Sequence, residues 1–397
     1  MTVEGKETSY VVSAPGKVIL FGEHSVVYGQ PAIAAAVSLR TYLLVTEPRV
    51  EGYVTLDLPD TGMSKSWRIS ELPFVADGDV AREAGRLDHG LVERLEPLLS
   101  DLENTYQHSA SLAFLYLYCS MCTAHTPAHT YGARSVLPIG AGLGSSASYT
   151  VCVAGALLKA AGLAGRADAA DLINSWSFMG ETCVHGNPSG IDNAVATRGG
   201  AVYFQREPKV AASFAFPPLK LILTNTAIPR RTSDLVAGVG KLKDRLPAIS
   251  QPLLDAMGEV AKEAYEILKT DNDDVGQRLG ELARINHGLL VALGVSHPVL
   301  EQVKCAADAV ALGHTKLTGA GGGGCAITIV DDESKLTDEL LASFSKAVPE
   351  PCEVFETVLG AQGVGYTVLD RQLDMPEFLK LSGSKEYDAL GEWHYWK

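Results

Sequence analysis

The stretch Leu137-Pro-Ile-Gly-Ala-Gly-Leu-Gly-Ser-Ser-Ala147 decides the fold, because it joins an extended pattern at residues 133–137 to a long apolar helical pattern at residues 148–161. Its three glycines, at 140, 142 and 144, permit backbone conformations that a side chain forbids and let peptide N–H groups approach a ligand closely. A glycine-rich turn before a helix N-terminus attracts anions, since free N–H groups and the helix dipole both favour negative charge. The stretch therefore predicts a loop that holds the phosphates of a nucleotide.

An ordinary Gly/Ser connection is the alternative interpretation of the same residues. Ser145 or Ser146 is expected to cap the following helix, a role that serine often has without any ligand. The pattern also differs from a Walker A loop, which ends in Gly-Lys-Ser/Thr, because no lysine follows Gly144. Other segments must decide between a phosphate loop and a plain connection.

Composition and charge are those of a globular chain of about two domains. The chain has 397 residues, of which 46% are hydrophobic and 20% charged, and its formal net charge is −14. This length exceeds one ordinary core, and the acidic balance argues against a nucleic-acid or anionic-membrane partner. A polyphosphate would have to be held locally, by backbone N–H groups, a metal ion and a few cations.

Targeting and redox signals favour the cytoplasm. Residues 1–9 are polar and show no signal peptide, and the most apolar windows, 112–122 and 147–158, are too short to span a bilayer. Seven cysteines, an odd number scattered through apolar segments, are typical of reduced thiols in a cytosolic protein. Cys119 and Cys122 form a C-x-x-C inside a helical pattern, for which core packing is the favoured interpretation.

The N-terminal segment carries charges at both ends of an apolar strand. Residues 10–13 and 17–21 are predicted to form two short strands around a Pro-Gly turn. Lys17 opens the second strand, and Glu23 and His24 follow its end. Ionisable side chains around a buried strand are typical of a ligand-binding wall. An exposed lysine and a structural histidine explain the same residues, and this segment alone favours neither interpretation.

A stiff turn separates two acidic residues in the middle of the chain. Residues 168–185 have helical spacing, with Asp168 as a possible N-cap and Glu181 near the end. Asn-Pro and Ser-Gly pairs then force a tight turn before Asp192, so the two carboxylates can converge across it. Taken singly, Glu181 and Asp192 are ordinary helix-end and turn residues. As a pair near a phosphate loop, they are candidates for a metal ligand and a general base.

A second glycine-rich stretch, Lys316-Leu-Thr-Gly-Ala-Gly-Gly-Gly-Gly-Cys325, precedes a predicted strand at residues 326–330. Four consecutive glycines are costly in chain entropy, so they favour a place where the backbone passes close to another group. A flexible linker is the alternative, although linkers seldom lead directly into a buried strand. The remaining predicted strands cover residues 39–46, 53–58, 131–137, 202–205, 219–225, 353–358 and 365–369, and the remaining predicted helices cover residues 107–124, 232–246, 252–269, 275–293, 297–312 and 334–347.

Motifs in a fixed order resemble those of the GHMP small-molecule kinases. The three signature motifs are matched by Ser13-Ala-Pro-Gly-Lys-Val-Ile-Leu-Phe-Gly-Glu-His24, Pro138-Ile-Gly-Ala-Gly-Leu-Gly-Ser-Ser-Ala147 and Lys316-Leu-Thr-Gly-Ala-Gly-Gly-Gly-Gly-Cys325. His185-Gly-Asn-Pro-Ser-Gly-Ile-Asp-Asn-Ala194 and Leu223-Thr-Asn-Thr-Ala-Ile-Pro-Arg-Arg-Thr232 extend the match. Within that superfamily the chain resembles the eukaryotic mevalonate kinase family from about residue 10 to residue 369.

The resemblance implies an α/β (α+β) architecture, the GHMP kinase fold. Residues 1–228 would form an N-terminal domain like ribosomal protein S5 domain 2, residues 229–375 a ferredoxin-like C-terminal domain, and residues 376–397 a packed tail of unassigned role. The implied activity is ATP- and Mg²⁺-dependent phosphorylation of the 5-hydroxyl of mevalonate in isoprenoid and sterol precursor synthesis. The family is typically a cytoplasmic homodimer with feedback binding of prenyl diphosphates at the ATP site, and no nucleic-acid or membrane partner is expected.

The family pattern also implies roles for individual residues. Asp192 would accept the proton of the substrate hydroxyl beside Lys17, while Ser146 and Glu181 would bind Mg²⁺. Four residues are expected to contact the substrate: Glu23, His24, Thr232 and Gly321. Nucleotide contacts are expected from Lys17, Asp60, Ser135, Gly140, Ala141, Gly142, Leu143, Gly144, Ser145 and Ser146.

One position departs from that pattern, and two other functions compete with it. Asp60 stands where relatives often carry asparagine, and a carboxylate cannot donate a hydrogen bond as an amide does. The first rival is a kinase of the same fold that acts on another alcohol, although galactokinase-like chains carry arginine where Lys17 stands. The second is a non-catalytic sensor of ATP and a metabolite. Such proteins usually lose a charged catalytic residue, whereas Lys17, Glu181 and Asp192 are all present.

Overall fold

The computed structural model describes residues 9–75, 84–206, 210–216, 218–270, 274–330, 332–370 and 373–397. Much of the charged stretch at residues 77–88, predicted to be exposed, lies outside these ranges. The strands are β1 Tyr10–Phe21, β2 Ala32–Thr46, β3 Tyr53–Leu58, β4 Met63–Arg68, β5 Thr130–Ser135, β6 Ala201–Gln205, β7 Val210–Phe214, β8 Leu219–Asn225, β9 His314–Thr318, β10 Cys325–Ile329, β11 Glu353–Leu359, β12 Gly365–Val368 and β13 His394–Tyr395. The helices are α1 His89–Leu95, α2 Thr105–Met121, α3 Ser145–Ala160, α4 Ala169–His185, α5 Ile191–Arg198, α6 Thr232–Arg245, α7 Pro247–Leu268, α8 Val275–Ala292, α9 Pro298–Ala309, α10 Asp338–Ala347, α11 Met375–Phe378 and α12 Ser384–Asp388.

The first motif forms one continuous strand, so the prediction of two short strands around a turn was wrong. β1 pairs antiparallel with β2 along its length, and the pairing register shifts between Pro15 and Gly16. The register passes over Ser38 and Leu39 of β2, so the bulge lies on β2 opposite the Pro-Gly pair, and a bulge bends the strands without ending them. The bend carries Lys17 alongside the phosphate-loop candidate, where the Lys17 backbone N–H donates to the Leu143 carbonyl at 2.8 Å.

The first half of the chain packs three long helices against the β1–β2 hairpin. α2, α3 and α4 contact one another, and α3 lies directly on both strands. Along α3, Val151, Val153 and Leu157 are fully buried, and each such side chain contributes about 1.5–3 kcal/mol on burial. The C-x-x-C of α2 belongs to this core, where burial raises the pKa of Cys119 and Cys122 to about 12. Core packing is thus the correct interpretation of that pair.

The second half contains a ferredoxin-like unit. Its strands have the order β11-β8-β10-β9, all antiparallel, which is the 4-1-3-2 order of a βαββαβ motif. Helices α6 to α9 connect β8 to β9, and α10 connects β10 to β11. One residue pair, Val37 with Leu359, joins this sheet to β2. The division at residue 228 stays a prediction; the strand pairing groups β8 with the strands that follow it and β12 with β1.

The C-terminal residues pack as an additional layer on the N-terminal sheet. β13 extends the sheet beyond β12, and the Tyr387 ring stacks on the Tyr42 ring with centroids 4.0 Å apart. The Trp396 indole N–H donates to the Ala164 carbonyl at 2.8 Å, and Tyr387 and Phe378 are fully buried. The segment therefore completes a core instead of trailing from it. Among the described residues, every helix is too short or too polar to cross a membrane.

One prediction concerns His129, just before β5. Burial lowers the pKa of this imidazole, against the opposing effects of the Pro127 backbone and the Glu47 carboxylate. The unfolded chain takes up a proton at this residue below pH 6.5 while the folded chain resists it, so His129 costs stability as the pH falls. We compare the melting temperature of His129→Gln with that of the unsubstituted protein at the same pH. We expect the variant's melting temperature minus that of the unsubstituted protein to be larger at pH 5.5 than at pH 7.5.

The slope of this difference cannot exceed about 1.4 kcal/mol per pH unit, the limit for one proton. Thermal melts at the two pH values measure it, and His125→Gln, at an exposed histidine nearby, is the control. A difference in melting temperature for His129→Gln that is the same at both pH values would contradict the assignment.

Candidate active site

The glycine-rich loop has an alternating left-handed backbone that ends at a helix N-terminus. Gly140, Gly142 and Gly144 have φ values of 76°, 82° and 71°, a region that side chains disfavour. Gly144 is the N-cap of α3, and no side chain makes the capping hydrogen bond. The prediction of a cap from Ser145 or Ser146 was therefore wrong. Because the first turn of α3 has no side-chain cap, its N–H groups remain available to an anion.

Lys17 and Asp192 meet beside this loop. The Lys17 Nζ atom lies 3.4 Å from Asp192 Oδ1, and the two side chains are 11% and 36% exposed. A methyl group added at Gly144 would lie 3.0 Å from Lys17 Cγ and 3.7 Å from Asp192 Oδ2. The fold thus brings together residues that are 175 positions apart in the sequence. An ammonium, a carboxylate and the helix N-terminus all face one point.

Glu181 and Ser146 form a hydrogen-bonded pair of oxygen donors close to the loop. Glu181 lies in the last turn of α4, almost fully buried, and accepts a hydrogen bond from the Ser146 hydroxyl. Burial raises the pKa of Glu181 to about 7, the Asp192 charge adds to the rise and the Ser146 hydroxyl opposes it. A buried carboxylate with too little positive charge around it is well suited to a divalent cation.

This pair fits Mg²⁺ better than a metal held by protein alone. Within the described ranges, no group of three or more His, Cys, Asp or Glu side chains is arranged to hold a metal ion. Mg²⁺ is commonly bound by one or two protein oxygens together with substrate phosphates and water. The arrangement of Ser146, Glu181 and the loop therefore has the donor set of a metal–nucleotide site.

A cavity of about 420 Å³ opens on one side of the loop, and its wall is mostly apolar. Asp60 lies in that wall, where its Oδ2 accepts from the Ser135 backbone N–H at 2.9 Å and its Oδ1 accepts from Arg134 Nε at 3.1 Å. The carboxylate thus fixes the end of β5 through bonds that it accepts. The lining of this larger cavity includes Asp60, Tyr106, Ser135, Gly140, Ser145 and Ser146.

A smaller cavity of about 180 Å³ lies at the end of β1 and is lined in part by Ile191, the residue before Asp192. Its lining includes Ile19, Glu23, His24, Ile191, Phe204 and Thr232. The His24 Nε2–H donates to the Ala320 carbonyl at 2.9 Å, and burial lowers the pKa of the imidazole. His24 Nδ1 is then a bare acceptor, buried and without a partner in the described part of the chain. A substrate hydroxyl is the kind of group that would satisfy it.

Gly321 has a packing reason to be glycine. Its φ is 78°, and a methyl group there would lie 2.0 Å from the Val295 carbonyl oxygen. It follows Ala320, whose carbonyl holds His24. Its predicted contact with a substrate stays a prediction.

Family profiles match parts of this chain, and curated relatives match most of its length. A family profile described as GHMP kinases N terminal domain matches residues 112–200, and one described as GHMP kinases C terminal matches residues 264–346. The mevalonate kinase of Candida albicans is 42% identical over 98% of this chain and 99% of its own length. That of Saccharomyces cerevisiae is 43% identical over 89% of this chain and 88% of its own length. The chain belongs to the mevalonate kinase family.

Structural similarity supports the same assignment. A solved structure described as L. major mevalonate kinase in complex with R-mevalonate covers 88% of this chain and 96% of its own, with a TM-score of 0.66 and 25% identity. The predicted GHMP kinase fold is thereby confirmed. A further profile, described as Galactokinase galactose-binding signature, matches residues 2–47, which contain the first motif.

Arg230 contacts both glycine-rich stretches of this member of the mevalonate kinase family. Its role was not predicted from the sequence. Its Nη2–H donates to the Ala141 carbonyl at 3.1 Å, and its Nη1 is buried without a partner among the described residues. A methyl group at Gly324 would lie 0.9 Å from Nη1, so only glycine leaves room for the guanidinium. The signal available in the sequence was a basic residue between β8 and α6, 89 positions away from the carbonyl that it binds.

Proposed function

We propose that the chain transfers the γ-phosphoryl group of ATP to the 5-hydroxyl of mevalonate, with the reacting atoms between Lys17, Asp192 and Gly144. The observation that carries this proposal is the contact of the Lys17–Asp192 pair with Gly144. The residue after Gly144, Ser145, lines the larger cavity, and the residue before Asp192, Ile191, lines the smaller one. The larger cavity fits the nucleoside and the smaller one fits a short acyclic alcohol. The family membership supplies the substrate class, and the geometry supplies the arrangement.

Asp192 is the proton acceptor in this proposal. Its carboxylate is about one-third exposed and borders the smaller cavity through its neighbour Ile191. As the hydroxyl oxygen attacks the γ-phosphorus, the bond from that phosphorus to the β,γ-bridging oxygen breaks, ADP leaves, and the hydroxyl proton passes to an Asp192 oxygen. Lys17 balances the negative charge that develops on the transferring group, and phosphoryl transfer depends mainly on such positioning and charge neutralisation.

Mg²⁺ would be held by Ser146 and Glu181 together with phosphate oxygens of the nucleotide. When bound, it supplies charge neutralisation and fixed orientation to the phosphates. The loop N–H groups contribute to the same end, since backbone N–H groups at a helix N-terminus stabilise anions. An acidic protein can hold a polyphosphate by these local means.

Replacing Glu181 with glutamine is expected to weaken the response to magnesium. The amide has no charge, and we expect the Mg²⁺ concentration for half-maximal activity to rise about tenfold or more, by analogy with losses at metal-site neighbours. A titration of activity against free Mg²⁺ at saturating ATP measures this shift. Glu263→Gln, at a surface ion pair with Arg278, is the matched control. A superimposable titration for Glu181→Gln would mean that the metal is held elsewhere.

Arg230 contributes a second cation to the same place. Its unpartnered Nη1–H lies between the two glycine stretches, and burial lowers the pKa of the guanidinium. A buried N–H donor without an acceptor is costly, and an anionic oxygen of the phosphate or of the substrate carboxylate would satisfy it. Arg230 therefore supports the binding of anions at the junction.

Mass spectrometry of the products tests the proposed function. Purified protein incubated with ATP, Mg²⁺ and mevalonate should yield phosphomevalonate and ADP in equal amounts. The galactose-binding profile at residues 2–47 is the observation that favours a sugar as the rival substrate. A panel with galactose and homoserine in place of mevalonate decides between them. ADP release with one of these and not with mevalonate would replace the proposal, and nucleotide binding without turnover on any alcohol would favour a sensor.

Three further properties of the family are proposed for this chain. Homodimerisation can be measured by light scattering, and inhibition by prenyl diphosphates competitive with ATP can be measured kinetically. The larger cavity lies against the phosphate loop and has an apolar wall, which suits a diphosphate with a hydrocarbon tail. A cytoplasmic location is supported by the cysteines, all seven of which are free in the described structure.

A further inference from the structure

A buried ion pair lies behind the smaller cavity. Glu23, which lines the cavity, accepts a hydrogen bond from the ammonium of Lys316 in β9. Lys316 is 0% exposed, and Glu23 is 3% exposed. The ammonium also donates to the Leu317 carbonyl at 2.7 Å. Burial lowers the pKa of Lys316 and the Glu23 charge opposes that shift, so the lysine charge depends on its partner.

The second oxygen of Glu23 is fixed as well. Asn286 of α8, fully buried, donates from Nδ2 to Glu23 Oε2 at 2.9 Å. Both donors come from the ferredoxin-like half of the chain, more than 260 positions from Glu23. The carboxylate is therefore held from two directions by the half of the protein that lacks the phosphate loop.

The backbone next to Glu23 adopts an uncommon conformation. His24 has φ 57° and ψ −47°, and the Ser25 N–H donates to the Glu23 carbonyl at 2.6 Å, which closes a γ-turn centred on His24. This turn is rare and strained, and strained backbone persists only where its surroundings determine it. Here Lys316 and Asn286 fix the residue before the turn, and Ala320 fixes the His24 ring.

Stability alone does not explain a buried ion pair. Replacing such a pair with apolar residues of similar volume is often neutral or stabilising, because burying two charges is costly. An unpaired Glu23 would place a negative charge in the wall of a cavity that, by the proposed function, receives a carboxylate substrate. Like charges in a poorly solvated cavity repel strongly. The lysine behind Glu23 cancels that charge without entering the cavity.

We propose that Lys316 is a positioning residue that neutralises Glu23 in the cavity wall, so that the smaller cavity admits an anionic substrate. Asn286 holds the same carboxylate in place, and the two together keep the His24 turn in its conformation. This inference rests on the proposed function, because it assigns the negative charge to the substrate that the site receives.

Unequal effects of two single substitutions test the charge role. Lys316→Met leaves Glu23 uncompensated, and we expect the KM for mevalonate to rise at least about tenfold with the KM for ATP within about twofold of its ordinary value. Glu23→Gln leaves the lysine charge in place, and we expect any increase in the KM for mevalonate to be smaller than that of Lys316→Met. The double variant Glu23→Gln/Lys316→Met restores neutrality, so its KM should fall below that of Lys316→Met.

The uncharged amide of mevalonate separates charge from contact. Its inhibition constant should be the same, within about twofold, in Lys316→Met and in the unsubstituted protein. Lys304→Met, at a surface ion pair with Asp308, is the control for loss of a lysine. Thermal melts and binding of a fluorescent ATP analogue establish that each variant is folded. If Lys316→Met does not fold, Glu23→Gln tests the proposal in its place. An equal loss of affinity for mevalonate and for its amide in Glu23→Gln would contradict the proposal.

Two results would overturn the charge role. One is an unchanged KM for mevalonate in Lys316→Met, and the other is a double variant no better than Lys316→Met. Failure of the unsubstituted protein to phosphorylate mevalonate is a separate outcome. It would count against the proposed function and is measured before any variant is compared.

Discussion

Asp192→Asn is expected to lower kcat by about 10²- to 10⁴-fold, the usual contribution of a general base. Asparagine has nearly the same shape as aspartate, but its amide cannot take the proton of the attacking hydroxyl. The side chain lies in the first turn of α5, accessible to solvent and beside Lys17. The change therefore removes a proton acceptor and leaves the glycine loop in place.

Steady-state kinetics with mevalonate and a binding titration with an ATP analogue measure the two parts of this expectation. The analogue should bind within a few-fold of its ordinary affinity. Asp171→Asn is a suitable control, because Asp171 pairs with Arg198 on the surface and lies outside both cavities among the described residues. A kcat for Asp192→Asn close to that of the control would remove Asp192 from the base role.

Lys17→Met is expected to produce the second large effect, a fall in kcat of about 10²- to 10³-fold, as seen when one stabilising donor is removed from an active site. The Lys17 side chain is 11% exposed and packs against Gly144, so its ammonium faces the point where charge develops. Methionine keeps most of the apolar stem and removes the charge. The loss should therefore appear in turnover more than in folding.

A comparison with a surface lysine makes this expectation specific. Lys262 pairs with Glu259 on α7, and Lys262→Met should retain ordinary kinetics. The KM for ATP should rise less than kcat falls in Lys17→Met, because the charge of Lys17 matters most in the transition state. If Lys17→Met lost affinity for ATP but kept an ordinary kcat, the role of Lys17 would be limited to nucleotide binding.

The sequence predicted the site better than it predicted the local backbone. Glycine spacing and the stiff turn before Asp192 predicted a loop near two carboxylates, whereas Lys17 beside Asp192 was expected only from the resemblance to the kinase family. The continuity of β1 through Pro15 was missed because a Pro-Gly pair also begins turns, and only the pairing with β2 shows that the strand goes on. The predicted serine cap of α3 was also wrong. Gly144 occupies the N-cap position, and the Ser146 hydroxyl donates to Glu181.

The contacts of Arg230 and Lys316 with distant segments were not predicted. Arg230 and Lys316 stand in quoted motifs, yet their roles depend on a carbonyl at Ala141 and a carboxylate at Glu23. A single sequence carries no information about which residues fold together over such separations. The helix spacing of α8 likewise predicts a buried face but does not indicate that Asn286 on that face reaches Glu23.

The most direct test of the central claim is a crystal structure of the protein with Mg²⁺, a non-hydrolysable ATP analogue and mevalonate. We expect the γ-phosphate to lie against the N–H groups at residues 140–146, within reach of the Lys17 ammonium. We expect the 5-hydroxyl oxygen to lie at hydrogen-bond distance, about 3 Å, from Asp192. A γ-phosphate bound away from that loop, or a substrate hydroxyl that faces any residue other than Asp192, would contradict it.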